Sequence, residues 1–359
     1  MLILNRFKIT IALIFGFLLY GISAFLYIKL LEVGHLKFDY VLNQFLIFQI
    51  TTISISFIYE KYLLKKSIEI KSISQKRIPK IFIYLYFLLC AIVFYFFPWT
   101  DDRESKMAQL AGFLRLLWFV LLIDSLNGSK SDYKFLVLNV ILMFVDNSRS
   151  TFAAILLVHL FRRQKINIFL IGFGIISVFL VASLRSGIFS YDSLFESLFL
   201  YGFIGEGING SLGALQVLTI NTSFIESILI STSTFLQPFL VLPKYFLFLD
   251  VTKYFDTSHF YTVLVDKQLG EVYYPMAGFY LVSQFVALSY LGSILLLCYV
   301  IFCLKIVRIL FKNADFAILF TFLLLMMKMS PFTFWKWIIY IFIIKVIVML
   351  LKKIQLNKK

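Results

Sequence analysis

The chain has 359 residues, of which 61% are hydrophobic and 15% charged, and its mean hydropathy is +0.92. Soluble domains carry about 25% charged residues, and a globule of this length exposes too much surface to hide so many apolar side chains. The composition therefore excludes a soluble enzyme, a disordered chain and a disulfide scaffold. The apolar runs are continuous rather than alternating, so they predict an all-α polytopic membrane protein and not a β-barrel.

The net charge of +15 comes from 34 Lys and Arg against 19 Asp and Glu. In a membrane protein such an excess is typical of cytoplasmic loops that set the topology, so we expect no nucleic-acid partner. The three cysteines, Cys90, Cys298 and Cys303, all lie in apolar runs without disulfide or metal-ligand spacing. They are interpreted as small hydrophobic residues.

Four spans are predicted in the first third of the chain, at about Ile9–Leu31, Tyr40–Tyr59, Ile81–Trp99 and Met107–Leu126. The loop from Glu60 to Lys80 carries seven basic residues, which makes it cytoplasmic under the positive-inside rule. The N-terminus then also lies in the cytoplasm. The first run is too long to be a cleavable signal peptide.

Two apolar runs of 11 residues follow, Phe135–Val145 and Thr151–Phe161, with the polar segment Asp146–Ser150 between them. They form either one helix with a polar middle or two short crossings with the polar segment at the tip. Two crossings keep the basic cluster that begins at Arg162 in the cytoplasm, so we favour two. Eleven helical residues rise only about 16 Å, which holds the polar segment at membrane depth.

A seventh span, about Ile166–Leu184, leads into a segment of 91 residues, Arg185–Pro275. This segment carries four basic and eight acidic residues, and the negative balance marks it as external. Its apolar stretches, Leu194–Ile204 and Phe224–Leu249, form either interfacial helices or one further pair of spans. Pro238 and Pro243 are expected to interrupt the second stretch, which favours helices on the membrane surface.

Three more spans, about Met276–Leu304, Ala314–Met327 and Phe334–Leu351, complete the topology. The total is ten spans, or twelve if the external segment adds a pair, with both termini in the cytoplasm. The positive-inside rule then explains 21 of the 34 basic residues. The predicted division is an N-terminal bundle of about seven spans (1–184), an external loop region (185–275) and three C-terminal helices (276–359).

Three arginines outside the predicted cytoplasmic loops are candidate anion ligands. Arg149 lies at the predicted tip, where its guanidinium either binds a phosphate through paired hydrogen bonds, pairs with Asp146, or extends to the interface. Arg115 lies in the middle of a span, where it either binds an anion or pairs with a buried acid. Arg185 opens the external segment, where it either meets an anionic headgroup or anchors the span.

Two residues of the external segment are candidate general bases. His259 is the only histidine there, and a neutral imidazole can accept a hydroxyl proton, although a lone histidine is more often structural. Glu206 lies between Gly205 and Gly207 and is the rival candidate. The sequence contains no metal-ligand cluster, phosphate-binding glycine loop or serine-hydrolase elbow, so we expect neither a metal nor a cofactor.

The pattern resembles the O-antigen polymerases (Wzy-type oligosaccharide repeat-unit polymerases) of bacterial surface polysaccharide synthesis. The resemblance rests on the short apolar pair around Ser148-Arg149, on the late external segment, and on Tyr274-Pro-Met-Ala-Gly-Phe-Tyr-Leu-Val-Ser-Gln followed by Tyr290-Leu-Gly292. The resemblance in the order of the segments covers most of the chain, whereas the matching sequence motifs are short.

This resemblance implies a metal-independent membrane glycosyltransferase at the periplasmic face of the inner membrane. Its substrate would be an oligosaccharide on undecaprenyl pyrophosphate, and a polysaccharide chain-length regulator would be a further partner. Arg149, Arg115 and Arg185 would bind pyrophosphate, and His259 or Glu206 would activate the acceptor hydroxyl. The alternatives left open are an O-antigen ligase and a polysaccharide flippase or transporter.

Overall fold

The computed structural model describes residues 9–18, 38–63, 80–97, 106–126, 132–146, 150–162, 172, 176, 213–246, 257–270, 281–311 and 315–356. Within these ranges the regular structure is helical and no strand is present, which confirms the predicted all-α class for this part of the chain. The described ranges contain twelve α-helices, which are α1 (Ile9–Leu18), α2 (Phe38–Ile58), α3 (Lys80–Phe96), α4 (Lys106–Ser125), α5 (Tyr133–Asp146), α6 (Ser150–Arg162), α7 (213–219), α8 (Phe224–Phe246), α9 (Thr257–Leu269), α10 (Ser289–Leu310), α11 (Phe316–Lys328) and α12 (Pro331–Leu356).

Two of the described helical stretches, Val41–Tyr62 and Val286–Leu310, are long and apolar enough to cross a membrane, judged by length and composition alone. Five shorter apolar helices have 10 to 17 residues. The predicted seventh span and the stretch Leu194–Ile204 lie outside the described residues, apart from isolated positions 172 and 176. The three-part division at residues 184 and 275 stays a prediction.

The chain divides into two compact units. Unit 1 comprises Met1–Glu69, Phe203–Val307 and Phe322–Lys336. Unit 2 comprises Ile70–Gly202, Arg308–Thr321 and Trp337–Lys359. Most of the buried side chains in both units are apolar, so each unit has a hydrophobic core of its own.

In unit 1, a buried carboxylate satisfies the start of α1. Glu60 lies in a π-helical turn, Tyr59–Leu63, that extends α2. Its two oxygens accept hydrogen bonds from the backbone N–H groups of Ile9 (2.7 Å) and Thr10 (3.0 Å). The first N–H groups of a helix have no partner within the helix, so this acid acts as a cap. Its negative charge also interacts favourably with the positive end of the helix dipole. The start of α1 and the end of α2 therefore lie side by side.

The entry into α10 is broken, whereas the sequence predicted one span from Met276 to Leu304. Two short 3₁₀ turns, Leu281–Gln284 and Val286–Leu288, come first, and α10 begins only at Ser289, whose φ is +49°. The Phe285 carbonyl packs directly on Gly292, where a Cβ atom would lie 1.9 Å from the carbonyl oxygen. Only glycine allows this close approach, so Gly292 permits the fold-back of the preceding turns onto the helix.

The prolines of α8 do not interrupt it, contrary to the sequence-based expectation. The helix runs through Pro238 and Pro243 as far as Phe246. It begins with a reciprocal cap in which the Ser223 backbone N–H donates to Glu226 Oε2 (2.8 Å) and the Glu226 N–H donates to Ser223 Oγ (3.2 Å). This Ser-x-x-Glu pattern is a capping box, which is visible in the sequence.

Candidate functional site

The two 11-residue apolar runs form two helices that fold back on each other in unit 2. The Asn139 side-chain amide on α5 donates a hydrogen bond to the Phe152 carbonyl of α6 at 3.0 Å. In one continuous helix these residues would be about 20 Å apart along the axis, so a single helix is excluded. Further from the tip, the Tyr133 and His159 rings lie 6.2 Å apart. These pairs define an antiparallel hairpin whose connection follows Asp146.

At the connection end of this hairpin, a buried ion pair joins α4 to α5. Arg115 donates from Nε to Asp146 Oδ2 and from Nη2 to Asp146 Oδ1, both at 2.5 Å. Arg115 is 4% exposed and Asp146 is fully buried. The guanidinium carbon also lies 5.3 Å from the centroid of the Phe94 ring of α3, within the range of a cation–π interaction. The acid-pair alternative for Arg115 is therefore the arrangement that the structure contains.

One helical turn further along α4, a second set of polar contacts connects α4, α5 and α6. The Trp118 indole N–H donates to Asn139 Oδ1 at 3.1 Å, while the Asn139 amide donates to the Phe152 carbonyl. All three residues are fully buried. Trp118 follows Arg115 by about one helical turn, so α4 contacts the hairpin at two successive turns. The amide of Asn139 satisfies a carbonyl near the start of α6, where the chain leaves its turn.

A third contact lies at the open end of the hairpin. His159 Nδ1 is 3.6 Å from Asp132 Oδ2, and both side chains are buried. Asp132, Asn139 and Asp146 are spaced by seven residues, or about 10.5 Å of helix rise, so they share one face. This spacing was visible in the sequence, but neither Asp132 nor Asn139 was predicted as a site residue.

Arg162, at the end of α6, fixes three helix ends together in unit 2. Its guanidinium donates to Asp315 Oδ2 (2.7 Å) and to the carbonyls of Ile123 (2.6 Å) and Leu126 (2.5 Å) at the end of α4. Asp315 in turn accepts the Ile318 N–H and caps α11. A cation at unsatisfied carbonyls and an acid at a helix start both favour the helix dipoles. The ends of α4 and α6 therefore meet the start of α11.

The structure describes the remaining predicted site residues only in part. His259 lies in the first turn of α9, where the backbone is described and the side chain is not. Arg149, Arg185 and Glu206 lie outside the described residues. Of the five predicted site residues, Arg115 is thus the one whose contacts are known. The sequence analysis had considered its partner, Asp146, only as a possible partner of Arg149.

The chain matches no protein-family model, no curated protein and no solved structure. Among the described residues, no group of three or more His, Cys, Asp or Glu side chains could hold a metal ion. The described site therefore consists of the neutralised Arg115–Asp146 ion pair and the hydrogen bonds of the Asn139 amide, next to the polar segment that follows Asp146.

Proposed function

We propose that this chain is a polytopic membrane protein, and the support lies in its outward-facing side chains. One face of α3 carries large apolar side chains that are 48 to 75% exposed, namely Ile81, Phe82, Leu85, Leu88, Leu89, Ile92, Tyr95 and Phe96. Their spacing of three and four residues makes a continuous stripe along the helix. Water-soluble monomers rarely expose an apolar patch of this size, whereas bilayer hydrocarbon would cover it.

We further propose that the protein polymerises undecaprenyl-pyrophosphate-linked oligosaccharide repeat units at the periplasmic face of the bacterial inner membrane. The observation that carries this proposal is the Arg115–Asp146 pair at the end of the hairpin. Arg149 follows Asp146 by three residues. A free Asp146 carboxylate would compete with a pyrophosphate for Arg149, but its two oxygens accept hydrogen bonds from Arg115. Because Arg115 already neutralises Asp146, we assign the charge of Arg149 to the pyrophosphate of the substrate.

In the proposed reaction, an acceptor sugar hydroxyl attacks the anomeric carbon of the growing chain. The bond from that carbon to the pyrophosphate oxygen breaks, a new glycosidic bond forms, and undecaprenyl pyrophosphate leaves with the bonding electron pair. Arg149, assisted by Arg185, stabilises the negative charge that develops on the leaving group. Glu206 or His259 accepts the proton of the attacking hydroxyl. The pyrophosphate lipid is the activated donor, so no nucleotide site is required.

Two contacts agree with the proposed topology, because each joins helix ends that the topology puts on one side of the membrane. In unit 1, Glu60 brings the start of α1 to the same level as the end of α2. In unit 2, Arg162 brings the ends of α4 and α6 to the start of α11. Each set of helix ends belongs to segments that the charge distribution assigns to the cytoplasm.

The test uses cells that lack this chain and make the polysaccharide only when it is supplied. Arg149→Ala is compared with Lys134→Ala, which removes an exposed cation from the other end of the same hairpin. We expect Arg149→Ala, at normal protein level, to leave single attached repeat units and Lys134→Ala to restore the full ladder. A full ladder from Arg149→Ala would remove Arg149 from the mechanism.

The same readout separates the alternatives. Loss of all attached polysaccharide, with long chains still present on the lipid carrier, would indicate a ligase. Purified protein in vesicles gives the second measurement, because a polymerase lengthens lipid-linked sugar whereas a flippase moves it between leaflets without changing its length.

A further inference from the structure

Helix α8 has its polarity reversed relative to a helix of a soluble protein. Besides Ile230 and Val241, its buried face carries four hydroxyl and amide side chains, Ser227, Ser231, Thr234 and Gln237. Its outward face carries large apolar side chains that are 55 to 69% exposed, Phe224, Ile225, Leu229, Leu236 and Phe239. In water the hydrophobic effect drives the opposite arrangement. The reversed pattern fits a helix whose surrounding solvent is hydrocarbon and whose polar groups find partners inside the protein.

The length of α8 matches the thickness of a bilayer. Its 23 residues rise about 34 Å, compared with about 30 Å for the hydrocarbon core. The exposed apolar side chains extend from Phe224 to Phe239, or about 22 Å along the axis. A helix lying in the interface would bury one apolar face and turn its polar face to water, whereas the polar face of α8 packs inside unit 1.

The polar face packs against the broken entry of α10, a part of unit 1 that continues into an apolar helix of spanning length. Ser231 Oγ donates to the Gln284 carbonyl at 2.8 Å. One turn further along α8, the Phe235 ring lies 5.2 Å from Tyr299 and 6.4 Å from Phe302, both well inside α10. These contacts place the middle of α8, at Ser231 and Phe235, against the entry and the body of α10.

The start of α8 and the end of α9 are joined at one polar end. Gln268 Oε1 accepts the Asn221 backbone N–H (2.8 Å), and Gln268 Nε2 donates to the Asn221 carbonyl (3.1 Å). Charged side chains at this end are exposed, namely Glu226, Asp266 and Lys267. Helices α8 and α9 also contact each other within unit 1. The chain therefore leaves this polar end through α8 and returns to it through α9.

We propose that α8 is inserted across the hydrocarbon core of the bilayer, and that α8 and α9 form a hairpin entering from the external face. Lipid acyl chains are the partner of its apolar face. The proposal rests on the membrane location proposed above, and it replaces the surface helix favoured by the sequence. It also places the first turn of α9, with His259, about 14 Å along the axis from Gln268 and below the external surface, which favours Glu206 over His259 as the general base proposed above.

The test measures depth at three outward positions of α8 in the full-length chain. Single cysteines replace Ile225, Leu229 and Leu236, and each carries a nitroxide spin label. Cys298 is changed to Ser because it is exposed, whereas Cys90 and Cys303 are buried. The protein is reconstituted in phosphatidylethanolamine–phosphatidylglycerol vesicles, and depth is obtained from relaxation by oxygen and by a water-soluble nickel chelate. Labels at Tyr290 and Phe302, two exposed positions of α10, form the control.

We expect the labels on α8 to become deeper in chain order, by about 16 Å between residues 225 and 236. Equal depths at all three positions, together with a gradient along α10, would overturn the proposal and show a helix lying in the interface. If the α10 labels also lack a gradient and stay accessible to the nickel chelate, the proposed membrane location itself is wrong. The two failures are thus distinguishable.

Discussion

Replacing one partner of the Arg115–Asp146 pair should destabilise the protein much more than replacing both. Removing the charge of Asp146 with Asp146→Asn leaves the Arg115 guanidinium buried without its counter-charge. Breaking a buried pair in this way costs about 3–5 kcal/mol. That is a large part of the total stability of a typical domain, which is about 5–15 kcal/mol. We expect Arg115→Met alone to cause a loss of similar size, because it leaves a buried carboxylate.

The double variant Arg115→Met/Asp146→Leu removes both charges and fills the space with apolar side chains. Such replacements of a buried pair are often neutral or stabilising, so we expect it to recover most of the lost stability. The measurement is equilibrium unfolding in mixed micelles, supported by the amount of folded protein after heating in detergent. A double variant that is as unstable as either single variant would refute the reasoning from charge.

The double variant also separates stability from function. If the pair fixes the end of α5, three residues before Arg149, the double variant should fold but polymerise more slowly. A displacement of about 1 Å near a reacting group can lower the rate about 100-fold. The rate is measured as extension of lipid-linked repeat units by purified protein in vesicles. An unchanged rate in the folded double variant would show that Arg115 and Asp146 contribute to folding alone.

Two further variants test the packing. Gly292→Ala should lower the free energy of unfolding by about 1–3 kcal/mol or more, because its Cβ would overlap the Phe285 carbonyl. The control Gly112→Ala has no atom within 4 Å of the new Cβ, so it should be neutral or slightly stabilising. Thermal unfolding of both variants gives the comparison. Arg162→Gln should cost about 1.5–3 kcal/mol through its lost charged hydrogen bonds, and Asp315→Asn in that background should add less than it costs alone. Equal effects of the two alanines, or strict additivity of the second pair, would contradict these assignments.

The helical class could be predicted from the sequence because it depends on local composition. Long continuous apolar runs without alternation favour helices, because a helix satisfies its backbone hydrogen bonds within one segment. The start of α8 was also encoded locally, since Ser223 and Glu226 form a capping box within four residues. Local signals failed where prolines were concerned, because the 23 residues of α8 continue as a helix through Pro238 and Pro243.

The contacts of the candidate site could not be read in the same way. The sequence predicted that Arg115 is buried, but it did not distinguish a bound anion from a buried acidic side chain as its partner. The structure pairs it with Asp146, 31 residues away, because α4 packs beside the end of α5. The seven-residue spacing of Asp132, Asn139 and Asp146 was available as a signal of a shared polar face. Nothing local indicated that this face would meet Trp118 and Phe152.

Composition and charge by themselves predicted the all-α class that the described ranges show, and they indicated which segments of the sequence carry clustered basic residues. These properties follow from side-chain chemistry summed over short windows. Only the tertiary structure decided which groups neutralise each other, that the runs around Asp146 fold into a hairpin, that α10 begins after a break at Ser289, and that α8 turns its polar face inward. Such choices depend on contacts between residues far apart in the chain, where close packing, and not local preference, selects the partner.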